Sequence, residues 1–482
     1  MKSLSLTLRA LIALLLMVMF YLFALSVSGG LLLIPYAEWE SGTLHLKVDA
    51  ICIISALLIL WAIMPRRNKF VQPGPELKKE EHPKLFELIE NVAYSTKQKM
   101  PEAVYLILDM NAWVSEKGGF LGFNKKRIMG IGLPLMQTMN ISELEAIIAH
   151  EFGHYYGGDT KLSPIIFKTR GAIERTLQHF EESLLQIPFR MYAKLFFRIT
   201  HGISRHQEYC ADRVAAETAG AKPFITGMEK LNEASLKFDY YWQNEVVHLL
   251  NCGVKPAIAE GFEKCQKSKN VSEILKEDIK NLEDEYDPYS THPPIKDRIE
   301  AVRYLDNGYT RINDESAITL INNIENLEKK ALAIIYGEEG VILKESKWEN
   351  LTVEVYLKAW SEYIEKYKAY FNEIKFCELY KETTNLWSSF NERIREKDKN
   401  FSLEEVKNIG EGTVGIAVMQ TLEKNGWKFE KVAGEEVIMR NGNESIEPML
   451  LVENFRSEKI NEAEWNKIVE KNGLGNILIS LN

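Results

Sequence analysis

The chain begins with two long apolar stretches separated by a short polar loop. Residues 10–37 contain no charged residue, and their apolar part runs from Leu11 to Val27, followed by a Gly-Gly break and a second run, Leu31–Ile34. Another apolar stretch extends from about Leu44 to Met64. Each stretch is long enough to cross the hydrocarbon core of a bilayer as a helix. The pattern therefore predicts a two-helix transmembrane anchor over residues 1–70.

Basic residues at the outer ends of this hairpin indicate its orientation. They are Lys2 and Arg9 before the first span and Arg66, Arg67 and Lys69 after the second. The connecting loop carries Glu38, Glu40 and only one basic residue, Lys47. By the positive-inside rule, both ends and the bulk of the chain lie in the cytoplasm, with the protein in the cell (inner) membrane. A signal peptide is the alternative, but the first apolar stretch is longer than a usual signal core and a second span follows closely.

Beyond the spans, amphipathic helices alternate with short apolar strands. A helix opens at Pro83, a strand covers Ala103–Leu108, and Arg127–Gly132 is typical of the returning strand of a hairpin. The stretch Ser142-Glu-Leu-Glu145 has the spacing of a capping box. It predicts the start of another helix, which ends at Gly157-Gly158.

Residues 184–200 predict an apolar helix that carries a basic stripe. Arg190, Lys194 and Arg198 recur every four residues and therefore share one face. Such a helix suits a membrane surface beside the two spans. It equally suits a helix packed against the domain, with the basic stems covering apolar surface. It is too charged to be a third span.

Residues from about Asn307 onward have a different pattern, with long, charged helices. Near the C-terminus, these helices are mixed with strand-like runs such as 436–440 and 449–452. We find no chemical motif in this part of the chain.

Composition narrows the class of protein. The 482 residues carry a net charge of −9, which argues against nucleic acid as the main partner. Five cysteines are scattered without zinc-ribbon or redox spacing, which indicates reduced thiols in a cytosol-facing protein. They are Cys52, Cys210, Cys252, Cys265 and Cys377.

The helix after Ser142 contains the sequence His150-Glu-Phe-Gly-His154. Positions four apart lie on the same helix face, so both imidazoles can bind one metal ion, for which zinc is the usual choice. Glu151 leaves the same turn at an adjacent angle and can take a proton from the attacking water. A core helix that happens to carry two histidines is the alternative, and the apolar neighbours Ile148 and Phe152 suit it equally well.

A catalytic zinc needs a third protein ligand, and Glu208 can supply it from a facing helix. Asp212, one turn further on, can accept a hydrogen bond from the far nitrogen of a ligating histidine and fix its tautomer. The alternative is a solvated helix face on which these carboxylates pair with Arg205 or Arg213. Because the carboxylate pair accompanies a His-Glu-x-x-His helix, it favours a metal site over a solvated helix face.

Four motifs in the same order resemble the membrane-bound gluzincin metallopeptidase family of the CAAX prenyl endopeptidases and the HtpX-type heat-shock proteases. The matching pieces are Asn111-Ala112, His150-Glu-Phe-Gly-His154, Ser204-Arg-x-x-Glu208-x-x-Ala211-Asp212, and Thr291-His-Pro-Pro294 followed by Arg298. They cover about Pro83 to Val302. The resemblance implies one zinc ion held by His150, His154 and Glu208, with Glu151 as general base and acid.

The resemblance also implies that Asn111, His292 and Arg298 face the bound peptide. Asn111 follows a strand that could serve as an edge for an extended substrate, and His292 could donate to the oxyanion. The simpler interpretations are that Asn111 caps a turn and that His292-Pro-Pro only starts the helix containing Arg298.

The predicted fold is mainly α with a small β-hairpin or sheet. Its parts are the transmembrane helical hairpin (1–70), a zincin-like, gluzincin metalloprotease domain (71–306) and an α-rich C-terminal extension of unknown role (307–482). HtpX-type proteins usually carry further spans between the metal-binding helices, whereas residues 161–200 are too polar for spans. The prenyl proteases have many more spans than this chain, so CAAX processing is not expected.

The predicted function is hydrolysis of polypeptides, membrane proteins among them, by a membrane-anchored zinc endopeptidase. The alternative is a catalytically silent membrane scaffold that binds peptides and recruits partners through its C-terminal helices. Retention of Glu151 favours the enzyme, because a scaffold has no need for a general base.

Overall fold

The structure of the protein is a computed structural model. It describes residues 6–64, 70–117, 126–155, 163–181, 183–284, 292–305, 312–336, 343–351, 374–380, 402–456 and 459–479, with seven single positions between 355 and 365. The chain divides into two compact units, residues 1–233 with 279–335 and residues 234–278 with 336–482. The predicted boundary at 306–307 lies outside the described residues.

Helices dominate both units. Up to the middle of the chain the elements are α1 Leu6–Ser41, α2 Leu46–Ile63, β1 Glu76–Leu77, α3 Pro83–Ser95, β2 Ala103–Ile107, β3 Ala112–Lys117, β4 Lys126–Gly132, α4 Leu133–Thr138, α5 Ile141–Gly153, α6 Ser163–His179, α7 Gln186–Ala219 and α8 Ala221–Tyr241. The later elements are a π-helix Trp242–Val246, α9 Val247–Asn251, β5 Val254–Lys255, α10 Ile258–Lys267, α11 Lys269–Ile274, α12 Lys276–Asp284, α13 Ile295–Val302, α14 Ile324–Tyr336, β6 Lys344–Glu345, α15 Trp348–Leu351, β7 Ile374–Lys375, α16 Leu403–Lys424, β8 Lys428–Glu430, β9 Ile438–Asn441, β10 Glu444–Ile446, α17 Pro448–Arg456, α18 Glu462–Lys471 and β11 Leu478–Ile479, with 3₁₀ turns at Arg303–Leu305, Ala317–Leu320 and Phe376–Glu378.

Helices α1 and α2 form the hairpin that the apolar pattern predicts. Both are long and apolar enough to cross a membrane, and most side chains in their most apolar segments face outward. The hydroxyl of Ser28 donates to the carbonyl of Ala56 across the helix pair, at 3.0 Å. Helix α1 continues without interruption through Gly29-Gly30 to Ser41. A helix pairs its own backbone polar groups, which an apolar environment requires.

A four-stranded sheet in the order β1-β2-β4-β3 supports the site. The predicted strands at 103–108 and 127–132 are confirmed as β2 and β4, which pair in parallel. The hairpin partner of β4 is β3, which runs antiparallel to it and forms one edge of the sheet.

The N-cap of helix α5 lies two residues before the predicted cap, Ser142. Asn140 is the N-cap, and its side chain accepts from the backbone N–H of Glu143 while the Glu143 carboxylate accepts from the N–H of Asn140. Ser142 lies inside the helix, where its hydroxyl accepts from the backbone of Asn313 at 2.7 Å. The helix ends at Gly153, and the predicted terminator Gly157-Gly158 lies outside the described residues.

Helix α7 contains two segments that were predicted as separate helices, the basic stripe and the segment around Glu208. It is one helix of 34 residues that contains both the basic stripe and Glu208. In its first half, Phe189, Ala193 and Phe196 are buried in a cluster that includes Met17 and Phe20 of α1. The helix therefore packs along the anchor, and Arg190 and the other stripe residues are exposed.

The second unit has its own hydrophobic core, around α16 and the antiparallel sheet β10-β9-β8. The strand-like run 436–440 largely corresponds to β9, whereas 449–452 lies in α17 and is helical. Pro448 occupies the first turn of that helix, and Leu451 and Val452 are buried in the core. Packing against α16 decides the conformation of this short apolar run. The five cysteines are free thiols.

Candidate functional site

Helices α5 and α7 approach closely enough for side chains from both to meet. The contact depends on Gly153, because a Cβ at that position would lie 2.7 Å from the Cα of Ala211 and 3.0 Å from its carbonyl oxygen. Such distances are too short for any side chain. The glycine inside the His-x-x-x-His segment therefore lets α7 pack directly against the histidine helix.

Three candidate metal-binding side chains converge at this contact. The Nε2 atom of His150 lies 3.6 Å from one carboxylate oxygen of Glu208, and the Nε2 atom of His154 lies 3.7 Å from the other. Burial lowers the pKa of His154 to about 4, so its imidazole is neutral at pH 7. The pKa of Glu208 would rise on burial, but His292, His150 and Arg298 outweigh this effect and lower it to about 2.

Asp212 lies behind the histidines and has no solvent exposure. Its Oδ1 atom is 3.0 Å from Nδ1 of His150, on the side of the ring away from Glu208. Arg298 donates two hydrogen bonds to the same carboxylate, at 2.8 and 2.6 Å. Burial would raise the pKa of Asp212, but Arg298 and His150 keep the pKa lowered. Asp212 therefore stays ionised and orients His150.

Arg298, for which the sequence predicts a contact with peptide, contacts two carboxylates of the candidate site. Its guanidinium is buried, bonded to Asp212, and 3.3 Å from Oε2 of Glu208. Burial would lower its pKa, but Asp212 more than compensates and the pKa is raised. A fully buried cation needs such partners, and in this arrangement two carboxylates supply them. The structure thus places the guanidinium of Arg298 against Asp212 and Glu208, and its contact with a bound peptide stays a prediction.

His292 is on the solvent side of the cluster. Its side chain is 62% exposed, and Nδ1 lies 3.1 Å from Oε2 of Glu208. The interaction with Glu208 raises the pKa of His292. His292 is thus within reach of the groups around Glu208 and favours the protonated, donating form.

Glu151 lies next to the two histidines. His150, Glu151 and His154 form a group whose possible ligand atoms lie within 4.8 Å of one another. Burial raises the pKa of Glu151 to about 7, although His150 and the backbone of Val114 oppose the shift. A carboxyl group with this pKa exchanges a proton readily at neutral pH.

Edge strand β3 is tied to the histidine helix. The hydroxyl of Tyr155 donates to the carbonyl of Val114 at 2.9 Å, and the ring of Tyr155 lies under the guanidinium of Arg127. Asn111 immediately precedes β3 and is exposed, and its carbonyl accepts from Gly132. Asn111 thus lies just before the strand whose backbone at Val114 reaches Glu151, and it lies outside the ion-pair cluster.

The donor set fits a zinc ion. Separations of 3.6 and 3.7 Å are too long for hydrogen bonds, but they are close to the ~3.4 Å between two ligands around a tetrahedral zinc with bonds of ~2.0–2.1 Å. Within the described part of the chain, Oε2 of Glu208 is buried without a hydrogen bond of good geometry. Two imidazoles and this carboxylate are typical zinc ligands, and a cation would satisfy the buried oxygen.

Gly153 and Tyr155 were not predicted from the sequence. A glycine between the two histidines of a helical motif is itself a signal of close packing, because glycine weakens a helix. Tyr155 directly follows the motif, but nothing in the sequence indicates that its hydroxyl reaches β3.

Comparison with known proteins agrees with this geometry. Residues 79–306 match the family model described as peptidase family M48. The chain is 24% identical over 324 residues to the protease HtpX homolog of Streptococcus uberis, which covers 62% of this chain and 97% of the relative. It is 24% identical over 282 residues to protease HtpX of Escherichia coli K12, covering 52% of this chain and 82% of that protein.

A third relative, protease HtpX of Buchnera aphidicola, is 26% identical over 207 residues, or 37% of this chain and 68% of the relative. No solved structure gives a significant match. The family match covers every residue of the His150–Glu208–Asp212–Arg298 cluster, and the two apolar helices precede it. Residues 79–306 are thus similar to peptidase family M48 and to HtpX proteases, and these similarities support a membrane protease of the metalloprotease class.

Proposed function

We propose that the protein is a zinc-dependent endopeptidase in which His150, His154 and Glu208 hold one zinc ion. The observation that carries this proposal is the placement of both Nε2 atoms 3.6–3.7 Å from the two oxygens of one carboxylate. Asp212 supports it, since a carboxylate behind a ligating histidine fixes the tautomer that directs the Nε2 lone pair to the metal. When bound, zinc acts as a Lewis acid that activates water and polarises the scissile carbonyl.

Glu151 is the general base and acid of this mechanism. Its carboxylate takes a proton from the attacking water and later delivers a proton to the leaving amine. Burial raises the pKa of Glu151 to about 7, so neither the protonated nor the ionised form is strongly favoured at pH 7. A hydrogen bond from the backbone of Val114 fixes the direction of the Glu151 carboxylate relative to the edge strand β3.

His292 and Asn111 contact the substrate in this proposal. His292, protonated beside Glu208, donates to the oxyanion that develops as the carbonyl is attacked. Asn111 holds a peptide group of a substrate that extends along β3. Arg298 is a positioning residue, because its contacts are with Asp212 and Glu208.

The substrates are polypeptides, membrane proteins among them, and the catalytic domain at residues 71–306 lies in the cytoplasm. The basic residues outside both spans support this orientation. A C-terminal tag should resist external protease in intact cells and become accessible after lysis. Cleavage of the tag from outside intact cells would overturn the cytoplasmic placement.

Metal content tests the zinc site directly. The purified full-length protein should contain close to one zinc per chain, and His154→Gln and Glu208→Gln should each lose most of it. His206→Gln is the matched control, because His206 is exposed on α7 only two residues from Glu208. Zinc-free wild type, or equal zinc in all four proteins, would exclude the proposed ligand set.

A further inference from the structure

Helices α6 and α7 form a helical hairpin that packs against the membrane anchor. Their buried residues share one hydrophobic cluster with α1 and α2. On α7, the ring of Phe189 lies 5.1 Å from that of Phe23, and the hydroxyl of Tyr192 donates to the carbonyl of Leu16. On α6, the ring of His179 lies 5.1 Å from that of Trp61.

These contacts show how far the hairpin reaches along the anchor. Tyr192 contacts α1 from Leu16 to Phe23, whereas Phe189, one turn nearer the α6–α7 connection, contacts Phe23 at the end of that stretch that lies further into the span. His179 ends α6 beside Trp61, two residues before the end of α2. The turn between α6 and α7 therefore lies deeper along the anchor than the end of α2, by roughly 5–10 Å. This is the depth at which interfacial helices lie.

The face of α7 opposite the anchor is apolar and exposed. Leu184 is 83% exposed, Ile187 52%, Met191 69% and Leu195 48%. Ile187, Met191 and Leu195 are four residues apart and therefore form one stripe of the helix. Leu184, three residues before Ile187, continues this stripe just before the helix. A contiguous apolar stripe on a helix that packs beside two apolar spans is suited to lipid rather than water.

A basic face adjoins this apolar stripe. Arg190, Lys194 and Arg198 are exposed, and among the described residues no carboxylate forms an ion pair with them. They lie on the first turns of α7, beside the level at which α2 ends. Glu181, exposed next to the turn, makes complete insertion costly, so the hairpin stops at the interface.

We propose that the α6–α7 turn and the first turns of α7, residues 184–198, are seated in the headgroup layer of the bilayer and bind anionic lipid. Leu184, Ile187 and Met191 enter the acyl boundary, and the three basic side chains contact lipid phosphates. Because α7 continues without interruption to Glu208, this contact fixes the catalytic helix relative to the membrane surface.

Photo-crosslinking to lipid tests the proposal on the full-length protein. The wild type is reconstituted in vesicles that contain photoactivatable phosphatidylglycerol or, separately, photoactivatable phosphatidylcholine. Peptide mass spectrometry should find crosslinks within 184–198 as well as in the spans, with several-fold more from phosphatidylglycerol. No crosslinks in 184–198 above the level of exposed α8 residues, or crosslinks between two copies there, would overturn it.

A charge-matched pair of variants tests the basic face. Arg190→Gln/Lys194→Gln/Arg198→Gln should lower phosphatidylglycerol crosslinking within 184–198 at least fivefold, with unchanged peptidase activity in detergent. Lys84→Gln/Lys97→Gln/Lys222→Gln removes the same charge from exposed positions elsewhere in the first unit and should leave crosslinking unchanged. Equal crosslinking in both variants would refute recognition of anionic headgroups.

Discussion

Nδ1 of His150 lies 3.0 Å from Oδ1 of Asp212, and the same carboxylate accepts two hydrogen bonds from Arg298. This chain of contacts joins three helices, α5, α7 and α13, behind the candidate metal ligands. It orients the imidazole of His150 and neutralises the buried carboxylate at the same time. The candidate site is thus held by groups that never need to touch a substrate.

Asp212→Asn should weaken zinc binding by about 10–100-fold, because the neutral amide orients His150 less firmly and leaves Arg298 without its charge partner. Competition with a chromophoric zinc chelator measures the change. Asp297→Asn is the control, since Asp297 is an exposed aspartate beside Arg298 on α13. Unchanged zinc affinity in Asp212→Asn would contradict the orienting role.

Arg298→Lys should reduce zinc affinity and kcat while leaving KM for a peptide nearly unchanged. Lysine keeps the charge but loses the two-pronged contact with Asp212. Steady-state kinetics at saturating zinc separate the two parameters. A rise in KM with unaltered kcat and zinc affinity would instead restore the substrate contact that the sequence predicts.

Glu151→Gln should bind zinc like the wild type but cleave a reporter peptide about 10²–10⁴-fold more slowly, since the amide cannot accept the proton of water. Glu145→Gln is the matched control on the same helix; burial raises the pKa of Glu145 as well, but it lies outside the cluster. Cleavage by Glu151→Gln at the wild-type rate would show that another group is the base.

Gly153→Ala should destabilise the first unit by about 1–3 kcal/mol and lower zinc occupancy, because the new methyl group would collide with the backbone of Ala211. Gly171→Ala is the control, since its nearest neighbour is the end of a flexible arginine side chain at 3.3 Å. Thermal unfolding in detergent compares the two. Equal melting temperatures would mean that α5 and α7 can separate without loss.

His82 should make stability depend on pH. Burial lowers the pKa of His82 from its ordinary 6.5, and its neutral Nδ1 accepts from the backbone N–H of Asn322 at 3.1 Å. The unfolded chain therefore binds a proton below pH 6.5 that the folded chain resists, so stability is full above that pH and falls as the pH drops.

The comparison is between wild type and His82→Asn, which keeps an acceptor but does not titrate. The wild type should melt higher at pH 7.5, and its advantage should shrink as the pH is lowered towards 5.5. A constant difference between the two melting temperatures across this range would sink the idea.

Local spacing was sufficient to predict much of the candidate site. His150 and His154 share a face because of helix geometry alone, and Asp212 is one turn from Glu208 for the same reason. The contacts of Arg298 with Asp212 and Glu208 were not predicted, because they depend on how α13 packs against α7, which spacing along the chain does not determine. Gly153 and Tyr155 were missed for the same reason, since their partners Ala211 and Val114 are distant in sequence.

Element boundaries show the limits of pattern reading in the fold. The capping box was predicted at Ser142, whereas Asn140 is the N-cap, and tertiary contact explains the difference because the hydroxyl of Ser142 accepts from the backbone of Asn313. The run 449–452 is helical because it packs against α16, although its composition suits a strand as well. The two spans were predictable because their length and apolarity leave few alternatives.

Because α7 is uninterrupted, it fixes the distance along its axis between the basic stripe and Glu208. Ten residues separate Arg198, the last basic residue of the stripe, from Glu208, which is about 15 Å along a helix axis. With the basic side chains at the lipid phosphates, an extended polypeptide leaving the bilayer needs about five residues to cover that height. With the proposed cytoplasmic orientation and membrane seating, membrane proteins with shorter cytoplasmic tails would escape cleavage whatever their sequence, so the proposed endopeptidase would select by tail length before it selects by side chain.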